Sequence, residues 1–546
     1  MNKNSKYIFL AFVGLVFLNY INQFVYKRFD LTEDQRYTLS ETTNSMLSKV
    51  DKTTHITVYL EGEFPSEFKR LQIETKDFLE ELRAKNKYIK IHFENPDNQR
   101  ERLIKKGMMP SQLTVEENGK VSEAIIFPWA EIRFKNKTSI VSLLPNSMMS
   151  SQEQQLQKAI ENLEYSFMNG FQKIIKKSKK KIALLTGKKG LQDIQLYSFL
   201  SKLSDKYSLS KFTLNSVKTN PQQTLEDLTT IDLAIIAKPT EKFTEKEKFT
   251  LDQYVMNGGK IVWMLDNVQA DQDSLMATGK MLAYPRDLNL TDLLFSYGVR
   301  VSTSIIKDLY ASKIALATGN IGNQTQFQNL DWFYHPLVAG NPNHPITKNI
   351  ANIRLQFANQ IDTLKNSIKK TPLLISSPLT KKVGTPTIVE LQSIAETPKE
   401  ENYTSGSQLF SVLLEGNFKS AYKNRIKPFK SNLFKASSFQ NKMIVIADGD
   451  IGKNQILKGN PTDLAIDKWT KQSFGNKDFL VNAVDYLLDD TGLIKLRNKQ
   501  LKINMLDKKK AFKERVYWQI LNVIFPLVLL TLFGIVFHYF RKKKYA

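Results

Sequence analysis

At 546 residues, 42% of them hydrophobic, the chain is long enough for roughly two to four folded units, each with its own buried core. It contains no cysteine, which excludes disulfides, thiolate zinc sites, iron–sulfur clusters, a cysteine nucleophile and lipidation on cysteine. Lys and Arg number 78 against 54 Asp and Glu, a formal net charge of +24, yet the lysines are interleaved with acids and asparagines throughout, which reads as composition and not as a binding face.

Two segments set the class of the protein. From Tyr7 to Tyr26 no residue is charged, and at 1.5 Å per residue such a run crosses about 30 Å of hydrocarbon. Lys3 and Lys6 precede it and no small-residue cleavage pattern follows, so residues 1–27 are predicted to be an uncleaved signal-anchor. Asn19, Asn22 and Gln23 stand at its outer end, suited to the interface. A second span is predicted over 516–540, with Pro526 placed to kink it, a basic juxtamembrane linker over 491–515 before it and a basic tail over 541–546 after it. Arg541 to Lys544 and the leader lysines argue for cytoplasmic termini, whereas Lys508, Lys509, Lys510, Lys513 and Arg515 flank the second span from the loop side. An N-terminal anchor with a basic leader translocates the domain behind it, so the bulk of the chain is expected outside the cytoplasm.

The segment RFDLTEDQRYTLSETT (28–43) follows the first span. Thr32 with Gln35, and Thr38 with Glu41, have the spacing of capping boxes, and Phe29 and Tyr37 are amphipathic anchors. Phe29, Asp30, Leu31, Arg36 and Tyr37 are therefore the candidate partner-docking residues, against the plainer reading of a capped connection into the first strand. THITVYL (54–60) and YIKIHFEN (88–95) alternate like strands, and Phe68, Leu71, Phe78, Leu79 and Leu82 between them keep helical spacing. Residues 113–127 read as a hairpin with Asn118-Gly119 at its turn, and 131–144 adds more strand. The expectation over 28–150 is a thioredoxin-like α/β domain without the paired cysteines of a redox enzyme.

Leu156, Ile160, Leu163, Phe167, Phe171 and Ile174 predict one long helix over 151–177, and KKSKKK (176–181) a solvated linker, so 151–180 connects two domains. Strands at 182–186, 232–237 and 260–265 then alternate with helices. The helix before the third strand is signed by Thr244 with Glu247 at its start and by Asn257-Gly258-Gly259 at its end. Apolar strands alternating with helices predict a doubly wound α/β domain over 181–490, completed by the strand at 443–448 and the helix at 478–490. An insertion over about 290–435, with a strand candidate at 371–377, interrupts it.

In such a sheet a ligand sits at the carboxyl ends of the strands, here TGKKG (186–190), AKPTE (237–241), LDNVQ (265–269) and ADGDIG (447–452). Gly187 and Gly190 lack the dinucleotide-binding spacing and no P-loop motif occurs, which excludes nucleotide hydrolysis by that route. Lys188 and Lys189 read as a turn kept soluble, not as an anion site. The five histidines are His55, His92, His335, His344 and His538. Asp331, His335 and His344 have no helical register for a metal, and Asp448-Gly449-Asp450 reads as a turn before it reads as a carboxylate or Mg²⁺ site. No catalytic, cofactor-binding or metal residue is assigned. The alternative is a membrane-tethered hydrolase or metal-dependent enzyme using Asp448 and Asp450 or His335 and His344. No compact Arg-rich, aromatic-interleaved patch suggests nucleic acid.

Taken in order, RFDLTEDQRYTLSETT, TEKEKFTLDQYVMNGGKIVWMLD (244–266), NHPITKNIANIRLQFANQID (343–362) and MIVIADGDIG with GNKDFLVNAVDYLL before the terminal span resemble the GldG family, auxiliary components of the gliding-motility-associated ABC transporter of Bacteroidetes, over nearly the whole chain. The resemblance implies a non-enzymatic subunit of the bacterial inner membrane with periplasmic bulk. It also implies a separate permease and through it an ATPase as partners, and an unknown substrate. It further implies that 181–490 is an amidotransferase-like α/β domain, shared with an intraflagellar-transport protein. Class I amidotransferases need a cysteine nucleophile, so with none present the domain is expected to be a binding or scaffold version.

Overall fold

The computed structural model describes residue 14 and residues 38–62, 66–117, 120–144, 152–175, 178–322, 324–498 and 508–545. The predicted first span apart from Gly14, the Thr32/Gln35 box, the candidates Phe29, Asp30, Leu31, Arg36 and Tyr37, and the Asn118-Gly119 turn lie outside the described residues. The chain divides into two compact units, Met1–Lys499 and Gln500–Ala546.

In the larger unit the first helix is α1 (Glu41–Leu47). Its cap is Ser40, in place of the predicted Thr38. Ser40 has an extended backbone and its Oγ accepts from the Thr43 N–H at 3.1 Å, so Glu41 opens the helix instead of closing a capping box. The alternating runs become parallel strands β1 (Thr54–Val58) and β2 (Ile89–Phe93), joined by the crossover helix α2 (Ser66–Lys85). Leu71, Leu79 and Leu82 of α2 are wholly buried. Strands β3 (Ser111–Glu117) and β4 (Lys120–Ile126) pair as the expected hairpin. A second hairpin, β5 (Trp129–Phe134) and β6 (Lys137–Ser142), adds antiparallel to β1, giving the order β2-β1-β5-β6.

The predicted single helix over 151–177 is two, α3 (Gln152–Glu161) and α4 (Leu163–Ile175). The break falls at Asn162, whose side-chain amide shares the Lys158 carbonyl with its own N–H, at 2.8 and 3.1 Å. Helix α4 lies close on β6. A Cβ at Gly170 would come within 2.6 Å of Val141 Cγ2, so glycine sets that approach.

The second sheet contains β7 (Lys181–Thr186), β8 (Ser208–Thr213), β9 (Leu233–Ala237), β10 (Lys260–Met264), β11 (Ala311–Ile321), β12 (Gln324–Gly340), β13 (Lys369–Ile375), β14 (Leu409–Lys419) and β15 (Ser437–Ile446). Their order is β11-β12-β13-β14-β15-β10-β9-β7-β8. From β15 to β8 the strands are parallel, as the apolar runs predict. From β14 to β11 they are antiparallel, so part of the segment at about 290–435 continues the same sheet, while Val299–Asp308, Asn359–Thr363 and Thr380–Val383 form a separate three-stranded sheet and Thr387–Glu390 joins another. Helices α5 (Asp193–Ser204), α6 (Pro221–Thr229), α7 (Glu245–Met256) and α8 (Asn476–Leu488) complete the layers. The capping box of α7 forms as read, with Thr244 Oγ1 accepting from the Glu247 N–H at 3.3 Å and Glu247 Oε2 from the Thr244 N–H at 2.7 Å. Gly258, at φ 100°, turns the chain out of α7.

In the smaller unit, α9 (Arg515–Tyr545) carries Pro526 in its interior. Its stretch Arg515–Lys543 has a mean hydropathy of 2.6 and is long and apolar enough to cross a membrane.

Candidate functional site

The carboxyl ends of the parallel strands bring together four charged side chains. Lys238 follows β9, Asp266 lies two residues beyond β10, and Asp448-Gly449-Asp450 leaves β15. Lys238 Nζ is 2.5 Å from Asp450 Oδ2 and 3.6 Å from Asp266 Oδ2. Asp266 Oδ1 accepts from the Gly449 N–H at 2.5 Å, and Asp448 accepts from the N–H groups of Asp450 and Gln356 at 2.7 and 2.8 Å. All four side chains are buried. A Cβ at Gly449 would lie 2.7 Å from Lys238 Cγ and 2.8 Å from Asp266 Oδ2, so the turn closes this tightly only with glycine.

Burial opposes the Lys238 ammonium, but Asp450 and Asp266 outweigh it and hold its pKa above the usual lysine range. Burial pushes Asp266 up to about 6 against the pull of Lys238, and burial together with the charges of Asp266 and Asp450 raises Asp448 well above the carboxylate range. The ammonium therefore occupies the position that a ligand or cation would take, and it cross-links three strand ends. Among the described residues no group of three His, Asp or Glu is arranged to hold a metal. The Asp-Gly-Asp turn is a turn, as its sequence reads. Lys238 and Asp266 were not singled out by the sequence; their signal was only that each is the first charge after an apolar strand.

The histidine loop does not assemble. His335 on β12 is 3% exposed, its ring 5.7 Å from that of Phe357, and burial pushes its pKa well below the usual value. His344 packs against Tyr486 at 5.0 Å, with its pKa lowered by burial to about 4, while Asp331 is exposed. Lys188 and Lys189 are paired with Glu247 and Glu241, at 2.7 and 3.0 Å.

A second constellation surrounds α4. The Ser40 N–H and the Thr43 hydroxyl both donate to Glu164 Oε1, at 2.9 and 2.7 Å, and so fasten the start of α1 to the buried face of this helix. From the other end of the unit, Thr491 Oγ1 accepts from Gln172 at 3.4 Å and the Thr491 carbonyl accepts from the Thr42 hydroxyl at 3.4 Å, across 449 residues of sequence. The Arg497 guanidinium lies 5.5 Å over the ring of Tyr165 and also donates to the Lys348 carbonyl. Leu493 and Ile494 are buried beside it. Residues 40–43 and 491–497 thus meet on one helix, which also rests on β6 of the first sheet.

A family model described as an ABC-type uncharacterized transport system (ABC_transp_aux) matches residues 179–483, more than half of the chain. The chain belongs to this family. This makes it a transport-associated auxiliary protein. Residues 33–133 match a domain of unknown function, DUF7088. An uncharacterized protein of Borreliella burgdorferi is 22% identical over 98% of this chain and 97% of its own. Of the solved structures, the mmIFT52 N-terminal domain is similar at 15% identity and a TM-score of 0.31, over 59% of this chain and 100% of that one. A ThuA-like protein of Parabacteroides merdae is similar at 10% identity and a TM-score of 0.27, over 61% and 94%. The family match starts just before β7 and ends within α8, so it covers the second sheet and the closed strand ends of this auxiliary protein.

Proposed function

We propose that the chain is a non-enzymatic auxiliary subunit of a bacterial ABC-type transport system of the gliding-motility kind. In this reading it is anchored in the inner membrane by a span at each end, with both termini cytoplasmic and the bulk periplasmic, and it partners a separate permease and through it an ATPase. The thioredoxin-like part over 28–150 and the amidotransferase-like part over 181–490 act as scaffold. The observation that carries the reading is the convergence on α4. Residues 40–43 and 491–497, the described residues nearest the two proposed spans in sequence, are fastened to one helix that rests on β6 of the first sheet, so a displacement of either segment is felt at α4. The strand ends filled by Lys238 favour a scaffold over a catalytic cleft.

Phe29, Asp30, Leu31, Arg36 and Tyr37 are the proposed docking segment for the permease. Replacing Asp30, Arg36 and Tyr37 together by alanine lowers the permease recovered by co-purification at least about tenfold, the loss that accompanies removal of interface anchors. The large unit keeps its melting behaviour, since α1 and its Glu164 anchor are untouched. Undiminished recovery would remove the docking assignment.

A further inference from the structure

The hairpin β11–β12 carries a surface that the transport role leaves unused. Between Lys313 and Asp331 no residue is charged, in a chain that is 24% Asp, Glu, Lys and Arg. The exposed polar side chains on this stretch are Thr318, Asn320, Thr325, Gln326, Gln328 and Asn329, all hydroxyls and amides, of which Thr325 and Asn329 share the face of the one aromatic ring. That ring, Phe327, is 64% exposed and lies parallel to the ring of Trp469, itself 60% exposed, with centroids 6.4 Å apart and planes 12° apart. Across the ladder Phe327 faces Ala317 and Asn329 faces Ala315, so the neighbouring strand offers only methyl groups on that side. The Lys313 N–H donates to Gln472 Oε1 at 3.4 Å, which ties the loop carrying Trp469 to the hairpin.

Two large rings held parallel and open, with amides and hydroxyls around them, select by chemistry. A nucleic acid or acidic polymer needs cations along its path, and residues 314–330 supply none. The charges lie at the margin: Lys468, 5.1 Å from the Trp469 ring, Lys471 beyond it, and Lys313 facing Asp331 at the foot of the hairpin. An uncharged ligand with flat apolar faces and many hydroxyls fits both features, the faces on the rings and the hydroxyls on the amides. We propose that Phe327 and Trp469 form a stacking platform for a neutral polysaccharide, with Thr325 and Asn329 beside Phe327 bonding its hydroxyls. This inference does not depend on the permease partnership.

The test uses the full-length protein in detergent, titrated with cellohexaose, chitohexaose and maltoheptaose, with polygalacturonate as the anionic comparison. Tryptophan fluorescence and calorimetry are the readouts. At least one neutral glycan is expected to bind, and Phe327→Ala and Trp469→Ala each to weaken it about tenfold or more, the size expected for losing one aromatic contact. Phe327→Tyr keeps the platform and retains binding, as does Phe439→Ala, which removes a ring that is 88% exposed on β15. The proposal is overturned if no neutral glycan binds at millimolar concentration, if the double alanine variant binds as well as the parent, or if polygalacturonate alone binds. Self-association of the parent that Trp469→Ala abolishes, with no glycan bound, would assign the hairpin to a protein partner instead.

Discussion

Replacing Lys238 by methionine costs the folded protein about 3–5 kcal/mol at pH 8, the penalty for removing one partner of a buried ion pair and leaving the other charge uncompensated. Asp450 and Asp266 lose the ammonium at 2.5 and 3.6 Å, and Asp448 already lies in the same cluster. The pH dependence has a definite sign. Burial holds the Asp266 and Asp448 carboxyls above their ordinary range, and without the ammonium nothing offsets it, so their unfavourable contribution grows as pH rises from about 4 through their raised folded values. The deficit is therefore smaller at pH 5 than at pH 8, and Asp450→Asn in the same chain recovers part of it at pH 8. The measurement is the unfolding midpoint of the full-length variants in detergent across that range. If Lys238→Met left the midpoint unchanged at pH 8, the strand ends would be an open cleft and not a lock.

Glu164→Ala is expected to release the start of α1 from α4. It strands the Ser40 N–H and the Thr43 hydroxyl, donors held at 2.9 and 2.7 Å in a buried place, at a cost of about 2–3 kcal/mol. The loss is local, so hydrogen exchange is the reading. Amides of residues 41–47 and of 491–494 exchange faster, because Thr42 and Gln172 hold Thr491 against the same helix, while those of β9 and β10 keep their protection. Glu164→Gln retains an acceptor and gives an intermediate result. Faster exchange confined to 41–47 would mean that the two ends of the unit are not coupled through α4.

The parallel half of the second sheet was legible because both its faces are covered, which makes β9 and β10 nearly continuous apolar runs. The α7 cap was legible because a capping box is a local contact read from four residues. Strand β8 was not, since at the sheet edge its burial is partial and SLSKFT offers no apolar run. Strands β11 and β12 were hidden for a related reason. Only the core of β13 showed, as the apolar run at 371–377, while β11 and β12 are antiparallel, largely exposed over the hairpin and rich in Asn, Gln and Thr, so they read as loop. The break at Asn162 escaped because the apolar spacing carries straight across it. At the candidate sites the sequence located the strand-end loops but not their content. That Lys238 answers Asp450 across 212 residues is a fact of topology, which no local pattern encodes. The meeting of Thr42 with Thr491 is of the same kind.

The central claim is that this auxiliary protein works as the scaffold partner of a permease and its ATPase. The direct measurement is to crosslink the intact protein in its own cells, purify it in mild detergent and identify what accompanies it by mass spectrometry. A multi-span permease recovered in stoichiometric amount with an ATPase, with crosslinks to residues 29–37, is the predicted result. Recovery of the protein without any transporter subunit, under conditions that keep other membrane complexes whole, would contradict it.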